Sequence, residues 1–116
     1  MTTEHQRTGA LDAVDRIVNR SGDADDVLRQ VVDVLSRLYP YVSIWFVEEE
    51  QLVQGPLAGR ATDAERYPIA FQGTKVAELE VSGTVDADRE FLERLAILIS
   101  AHAMVGWDTG GEGWEP

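Results

Sequence analysis

The sequence predicts an α+β domain in which an antiparallel β-sheet carries N-terminal helices and a C-terminal helix packed on one face. Helical apolar periodicity is confined to the two ends of the chain, and short strand-like segments separated by tight turns fill its middle. A length of 116 residues suffices for one hydrophobic core and not for two. The predicted organisation is a flexible arm over 1–8, a single domain over 9–105 and a flexible acidic, glycine-containing tail over 106–116.

Two helices are predicted before the strands. The first spans about 9–20 with Thr8 as its N-cap, and the second follows Ser21-Gly22 and ends at Tyr39-Pro40. Three aspartates lie in the first turn of the second helix and complement its dipole. The apolar stripes that support the two helices are Leu11, Val14, Ile17 and Val18 in the first, and Val27, Leu28, Val31, Val34, Leu35 and Leu38 in the second.

Two hairpins are predicted in the middle of the chain. A run of three glutamates turns the first hairpin, and Pro56 marks its second strand as an edge strand because proline cannot donate to a ladder. The turn of the second hairpin is Gln72-Gly73, where glycine supplies a positive φ. A short bridge over 60–66 joins the hairpins. The predicted strands are 41–47, 52–55, 67–71 and 75–81.

The last helix is predicted from Asp86, as its cap, to His102, and Gly106 stops it. Apolar side chains surround most of this helix, so a second chain can pack against the part that lies outside its core stripe. The sequence therefore predicts a homodimer. Its candidate interface residues are Ala96, Ile97, Ala101, Met104 and Val105.

The segment Leu38–Gly59 resembles, without a gap, the first hairpin of GAF domains, especially in the free methionine-R-sulfoxide reductase branch. Its sharpest element is Leu52-Val53-Gln54-Gly55-Pro56-Leu57-Ala58-Gly59. Residues 68–82 look like the closing strands of the family, and 86–102 look like its last helix. The resemblance implies a GAF-like fold, a sensory or regulatory role in signalling, a small-molecule ligand, and dimerisation through helices.

The chain departs from the family between its two hairpins. GAF domains carry there a long segment that covers the ligand and, in the reductases, supplies the reactive cysteines, whereas this chain has only 60–66. The sequence contains no cysteine, and a thiol-dependent reductase needs one sulfur as nucleophile and another to resolve the intermediate. The chain is therefore expected not to be an enzyme, and no cofactor or metal is expected.

Alternation along the strands divides the predicted sheet into two faces. One face is apolar throughout and is predicted to meet the helices. The other mixes aromatic and ionisable residues, and the family resemblance makes it the ligand side. The residues predicted to meet the helices are Val42, Ile44, Phe46, Tyr67, Ile69, Phe71, Ala77, Leu79 and Val81. The candidate ligand-binding residues are Tyr41, Ser43, Trp45, Arg66, Glu78 and Glu80.

Two functions remain open at this point. The first is a non-catalytic GAF-like sensor that binds a small molecule weakly on the open sheet face, with Trp45 at the centre of a shallow site. The second is a dimeric protein-interaction module whose ligand site is vestigial. A third reading makes Trp45 and Tyr41 structural, covered either by the bridge 60–66 or by Trp107 and Trp114 of the tail.

Net charge limits the partners. At −11 the chain repels nucleic-acid backbones and anionic membranes, so neither is an expected partner. The sequence also has no long apolar run and no secretory pattern at its N-terminus, which predicts a cytoplasmic location.

Overall fold

The structure, a computed structural model, describes residues 3–20, 23–60 and 62–105. Four strands lie between pairs of helices along the chain, and all strand pairs are antiparallel. In chain order the elements are α1 (Glu4–Asn19), α2 (Ala24–Ser36), β1 (Tyr41–Glu48), β2 (Gln51–Gly59), β3 (Ala64–Phe71), β4 (Thr74–Ser82), α3 (Asp88–Leu98) and α4 (Ser100–Val105). The order across the sheet is β2-β1-β4-β3. This α+β architecture confirms the predicted fold class, and the position of β2 at an edge agrees with Pro56.

The hydrophobic core joins all four helices to one face of the sheet. Its strand residues alternate along β1, β3 and β4, because successive side chains of a strand point to opposite faces. Phe71 is only partly buried, and the other residues predicted for this face lie in the core. The strand residues of the core are Val42, Ile44, Phe46, Tyr67, Ile69, Ala77, Leu79 and Val81.

The first helix begins earlier than predicted. Thr3 is its N-cap: the Thr3 hydroxyl accepts the backbone N–H of Gln6 at 3.1 Å, and the Gln6 side chain accepts the backbone N–H of Thr3 at 2.8 Å. This reciprocal capping satisfies two otherwise unpaired helix donors. The predicted arm over 1–8 is therefore wrong from Glu4 onward, and Thr8 lies within the helix. The predicted tail over 106–116 lies outside the described residues.

The second and third strands are longer than predicted. Strand β2 continues through Pro56 to Gly59, with a register shift that places Gly55 and Pro56 opposite Ile44 as a β-bulge. Strand β3 begins at Ala64, because its first residues find partners at the end of β4, where Ala64 pairs with Ser82. The bridge between the hairpins is therefore 60–63 rather than 60–66.

The C-terminal helix is divided into two. Ile99 separates α3 from α4 with φ −96° and ψ 3°, and the hydroxyl of Ser100 donates to the Ile97 carbonyl at 2.9 Å, a bond that competes with regular helix pairing. Asp86 is exposed and does not begin the helix. The helix begins at Asp88, with Ala87 as its N-cap, and the buried Asp88 carboxylate accepts the backbone N–H of Val85 at 2.9 Å.

Candidate functional site

Strand pairing brings the six candidate ligand-binding residues to one face of the sheet. In the register of β1 with β4, Trp45 lies opposite Glu78 and Ser43 lies opposite Glu80, and on the other side of β4 Arg66 also lies opposite Glu80. Residues directly opposite each other in a ladder share a face. Because β1 and β4 are the two inner strands, this cluster lies at the middle of the sheet.

Glu80 is the centre of the cluster. The Trp45 indole Nε1–H donates to Glu80 Oε1 at 2.7 Å, and the Tyr41 hydroxyl donates to the same oxygen at 2.8 Å. Tyr41 and Trp45 stand two residues to either side of Ser43, so both side chains reach diagonally to the residue opposite Ser43. Two aromatic donors from β1 therefore fix the position of one carboxylate on β4.

Arg66 lies over this arrangement. Its Nε donates to Glu80 Oε2 at 3.4 Å and its Nη1 donates to Glu78 Oε1 at 3.3 Å, while its guanidinium carbon is 5.8 Å from the centroid of the Trp45 ring. The Arg66 side chain is 49% exposed, whereas those of Glu78 and Glu80 are each 13% exposed. Lys75 forms a second ion pair with Glu78. We call Tyr41, Trp45, Arg66, Glu78 and Glu80 together the Trp45 face.

The electrostatics of Glu80 favour its ionised form. Burial alone would raise the pKa of Glu80, but the hydrogen bonds from Trp45 and Tyr41 and the charge of Arg66 outweigh burial and lower it. Burial raises the pKa of Tyr41, and the adjacent Glu80 carboxylate raises it further. At neutral pH Glu80 is therefore a carboxylate, and Tyr41 remains a protonated donor.

Two of the six residues lie beneath the surface. Ser43 is completely buried and its hydroxyl accepts a hydrogen bond from the Gln54 side chain at 3.2 Å. Tyr41 is 4% exposed. Ser43 therefore cannot contact a ligand directly in this arrangement, and Tyr41 acts on the surface only by holding Glu80. Trp45 remains partly exposed.

The bridge is anchored at the Tyr41 end of β1 rather than at Trp45. The Ser82 hydroxyl donates to the Thr62 carbonyl at 2.6 Å and accepts the Thr62 backbone N–H at 3.1 Å, and Ser82 pairs with Tyr41 in the ladder. Within the described ranges the bridge thus leaves Trp45 accessible. The alternative cover by Trp107 and Trp114 lies outside the described residues.

Sequence reasoning missed two polar groups beside this face and one elsewhere. Gln54 lies opposite Trp45 in the ladder and reaches Ser43 diagonally, and this pairing depends on the register of the hairpin, which alternation within one strand does not show. Lys75 pairs with Glu78 beside the register shift between Ile69 and Ala70, whereas strict alternation places these two residues of β4 on opposite faces. Asp88 accepts hydrogen bonds from the Tyr39 hydroxyl at 2.8 Å and from Arg7 at 3.0 Å, and their separation in sequence left no local signal for this buried network.

In the described part of the chain no group of three acidic or histidine side chains is arranged to hold a metal ion. Among the helices of this described part, none is long and apolar enough to cross a bilayer.

No protein-family model matches this chain, and no curated protein sequence matches it. Solved structures do. The free methionine-R-sulfoxide reductase from Neisseria meningitidis, in complex with its substrate, has a TM-score of 0.74 at 13% identity, covering 90% of this chain and 95% of its own. The GAF domain of the Acinetobacter phosphoenolpyruvate-protein phosphotransferase has a TM-score of 0.72 at 12% identity, covering 94% and 98%. The fRMsr of Staphylococcus aureus, in complex with substrate, has a TM-score of 0.71 at 12% identity, covering 84% and 95%.

These likenesses correct one expectation and confirm another. The expectation that the chain is not an enzyme, drawn from its lack of cysteine, is contradicted, because several of the structures that share its fold are reductases. At this level of identity the likeness concerns the fold, and fold does not determine activity. The resemblance read from Leu38–Gly59 is confirmed in the architecture: the chain has the GAF fold, in the form shared with free methionine-R-sulfoxide reductases.

Proposed function

We propose that this chain is a regulatory GAF-like domain that binds a small molecule on the Trp45 face. The observation that carries the proposal is the convergence of the Trp45 indole N–H and the Tyr41 hydroxyl on one Glu80 oxygen, at 2.7 and 2.8 Å. A carboxylate held by two aromatic donors beside a partly exposed indole combines an apolar surface with a fixed polar group. Small-molecule sites are built from this combination.

A purely structural role accounts for this cluster less well. The core of the domain lies on the opposite face of the sheet, and Tyr41, Ser43 and Trp45 are not part of it. Ion pairs with one half-exposed partner, such as those of Arg66, contribute little to folding stability. Two carboxylates that are mostly buried on the sheet face away from the core, beside a partly exposed indole, are typical of a binding site.

Affinity on this face is expected to be modest. A bridge of 60–63 is too short to enclose a ligand, so the ligand keeps part of its surface in water and gains less from burial. A regulatory domain does not need tight binding, because it must respond to changes in ligand concentration. The signal would leave through an interface with another chain.

The experiment is a metabolite screen by thermal shift on the wild type, on Trp45→Ala and on Val85→Ala. Val85 is a half-exposed apolar side chain before α3 and serves as the matched control. A ligand at ten times its Kd raises the free energy of unfolding by about 1.4 kcal/mol, which raises Tm by several degrees. Hits should shift the wild type and Val85→Ala and fail to shift Trp45→Ala. Hits that shift all three equally would place the ligand elsewhere.

A homodimer is the second candidate, and the exposure of the C-terminal helices favours it. Ile97 is 72% exposed and Met104 is 51% exposed, and Ala101 lies exposed between them at helical spacing. Ala96 was predicted to belong to this interface but is not available to a second chain, because it is 4% exposed and packs in the core of its own chain. The side chain of Val105 lies outside the described features.

Light scattering at rising protein concentration tests the dimer. Ile97→Glu should give a monomer where the wild type gives a dimer, because a charge at the centre of an apolar helix seam is desolvated without a partner. Leu57→Glu is the control, since Leu57 is equally apolar and half-exposed but lies on β2. A wild type that remains monomeric at every concentration would remove this candidate.

A further inference from the structure

We propose that the Arg66 guanidinium occupies a binding site for a small organic cation, and that Arg66 competes with this ligand from within the chain. The inference rests on the proposed function and names the ligand class for the Trp45 face. The site is defined by what surrounds the guanidinium: the Trp45 indole ring and the carboxylates of Glu78 and Glu80. An aromatic face combined with anionic groups is the usual binding site for guanidinium and methylated ammonium ligands.

The walls of this site are held independently of Arg66. Glu80 is fixed by hydrogen bonds of 2.7 and 2.8 Å from Trp45 and Tyr41, and Glu78 has a second ion pair with Lys75. The bonds of Arg66 to the same carboxylates are longer, at 3.4 and 3.3 Å. The carboxylates therefore stay in place when the arginine leaves, and the site is preorganised for a replacement.

Arg66 is placed so that it can leave. It lies on β3, an edge strand of the sheet, and half of its side chain is in contact with solvent. An arginine side chain of this exposure changes rotamer without disturbing the backbone ladder, and an exposed ion pair holds it by about 1 kcal/mol or less. The free energy needed to displace Arg66 is therefore small compared with the binding free energy of a small ligand.

Charge balance selects the sign of the ligand. With Arg66 in place, the positive charges of Arg66 and Lys75 balance the negative charges of Glu78 and Glu80. When the guanidinium moves into solvent, one negative charge remains unbalanced beside the indole ring. A monovalent cation restores the balance, whereas an anion or a neutral ligand leaves a partly buried carboxylate without a charged partner. The ligand is therefore expected to carry a planar guanidinium, an amidinium or a methylated ammonium.

The probe is N-ethylguanidinium at millimolar concentration, with N-ethylurea as its neutral isostere. Binding is followed by the fluorescence of Trp45 in a Trp107→Phe/Trp114→Phe background, which leaves Trp45 as the single tryptophan of the chain. Removing the competitor should raise affinity for N-ethylguanidinium up to about sixfold in Arg66→Ala, because an ion pair worth about 1 kcal/mol leaves the site open about one sixth of the time. Arg66→Gln, which keeps hydrogen-bonding capacity, provides the same test if Arg66→Ala unfolds.

Two variants control for general charge effects. Arg94→Ala removes an equal charge on α3, where Arg94 pairs with Glu90, and should leave the affinity for N-ethylguanidinium unchanged. The double variant Arg66→Ala/Glu80→Gln should not show the gain in affinity for N-ethylguanidinium, because it lacks the Glu80 carboxylate, which is the more firmly held of the two. Neither the wild type nor any of these variants should bind N-ethylurea measurably.

Equal affinity of the wild type and both Arg66 variants for N-ethylguanidinium would overturn this inference, as would equal binding of N-ethylurea. The proposed function stands or falls separately. If screen hits still depend on Trp45 while the Arg66 variants show no gain, the face binds ligands of another class. If neither dependence is found, the proposed function fails as well.

Discussion

Gly59 ends β2 in a conformation that glycine alone adopts without strain. Its φ is +88°, and a Cβ built there would lie 2.0 Å from the carbonyl oxygen of Pro40. Since this contact is with backbone, a side chain cannot be accommodated by a rotamer change. Gly59 therefore fixes where the first hairpin ends and the bridge begins.

Gly59→Ala is expected to lower the free energy of unfolding by more than about 2 kcal/mol, since it combines a positive-φ penalty with a backbone clash. Gly73→Ala is the matched control: its φ is +82°, but no atom lies within 4 Å of the added Cβ, so about 1 kcal/mol is expected. Urea denaturation measures both. Equal losses would show that the contact with Pro40 does not matter.

Glu80 gives the stability of the domain a pH dependence. Because its folded-state pKa is lowered from the ordinary value of 4.5, its contribution is fully present above that value and is lost as pH falls through the folded-state pKa. Glu80→Gln should lower the free energy of unfolding by about 1–2 kcal/mol at pH 7. The difference from wild type should shrink as the pH is taken below 4.5. Glu93→Gln, at an exposed position on α3, is the matched control for the loss of one negative charge.

Alternation along the strands was enough to predict that Tyr41, Trp45 and Glu80 share a face, because a period of two depends only on local geometry. It could not predict that Glu80, rather than Glu78, accepts from both aromatic side chains. That choice depends on the register between β1 and β4, which are separated in sequence by β2, the bridge and β3. Register is set by pairing and packing of the whole sheet.

At the scale of elements, the strands and helices were predicted where a local signal exists, and their ends were not. The turn glycine Gly73 and the edge residue Pro56 behave as expected, with φ +82° and a position on an edge strand. Strand β3 starts three residues before Tyr67 because β4 offers partners there, which no local pattern announces. The capping pair Thr3 and Gln6 matches the sequence pattern of a capping box, a local signal that indicates a helix start earlier than Thr8.

The turn between β1 and β2 is a site for stabilisation. Glu49 and Glu50 have φ of 52° and 70°, so both residues of the turn are in the left-handed region without being glycine or asparagine. Glu49→Asn/Glu50→Gly should raise the free energy of unfolding by about 1 kcal/mol, because this pair suits the turn that matches strand twist. Glu49→Ala/Glu50→Ala keeps the strain and should give no gain. A gain in the alanine variant, measured by thermal denaturation, would assign the effect to charge instead.

For the whole molecule, net charge is the dominant long-range term. A charge of −11 on 116 residues destabilises the compact state through self-repulsion, and salt screens this repulsion over a Debye length of about 10 Å at 0.1 M. Salt also weakens ion pairs such as that between Arg37 and Asp33, but both partners are largely exposed and the loss is small. The stabilisation that comes from screening the net charge therefore outweighs the stability lost from these ion pairs.

The Tm should rise by a few degrees when sodium chloride is raised from about 0.02 M to about 0.5 M. Sucrose at equal osmolality is the control, because it stabilises folded proteins by exclusion and not by screening. A Tm that salt leaves unchanged or lowers would mean that local ion pairs matter more than net charge in this domain.

The most direct test of the central claim, that the Trp45 face binds the ligand, is a titration followed by ¹H–¹⁵N correlation spectra with a hit from the metabolite screen. The indole N–H of Trp45, bonded to Glu80 in the free protein, reports from the centre of the site and is assigned with Trp45→Phe. Binding should shift this resonance together with backbone amides of β1, β4 and the start of β3. Shifts confined to the helices, with the Trp45 indole resonance unmoved at saturation, would contradict the account.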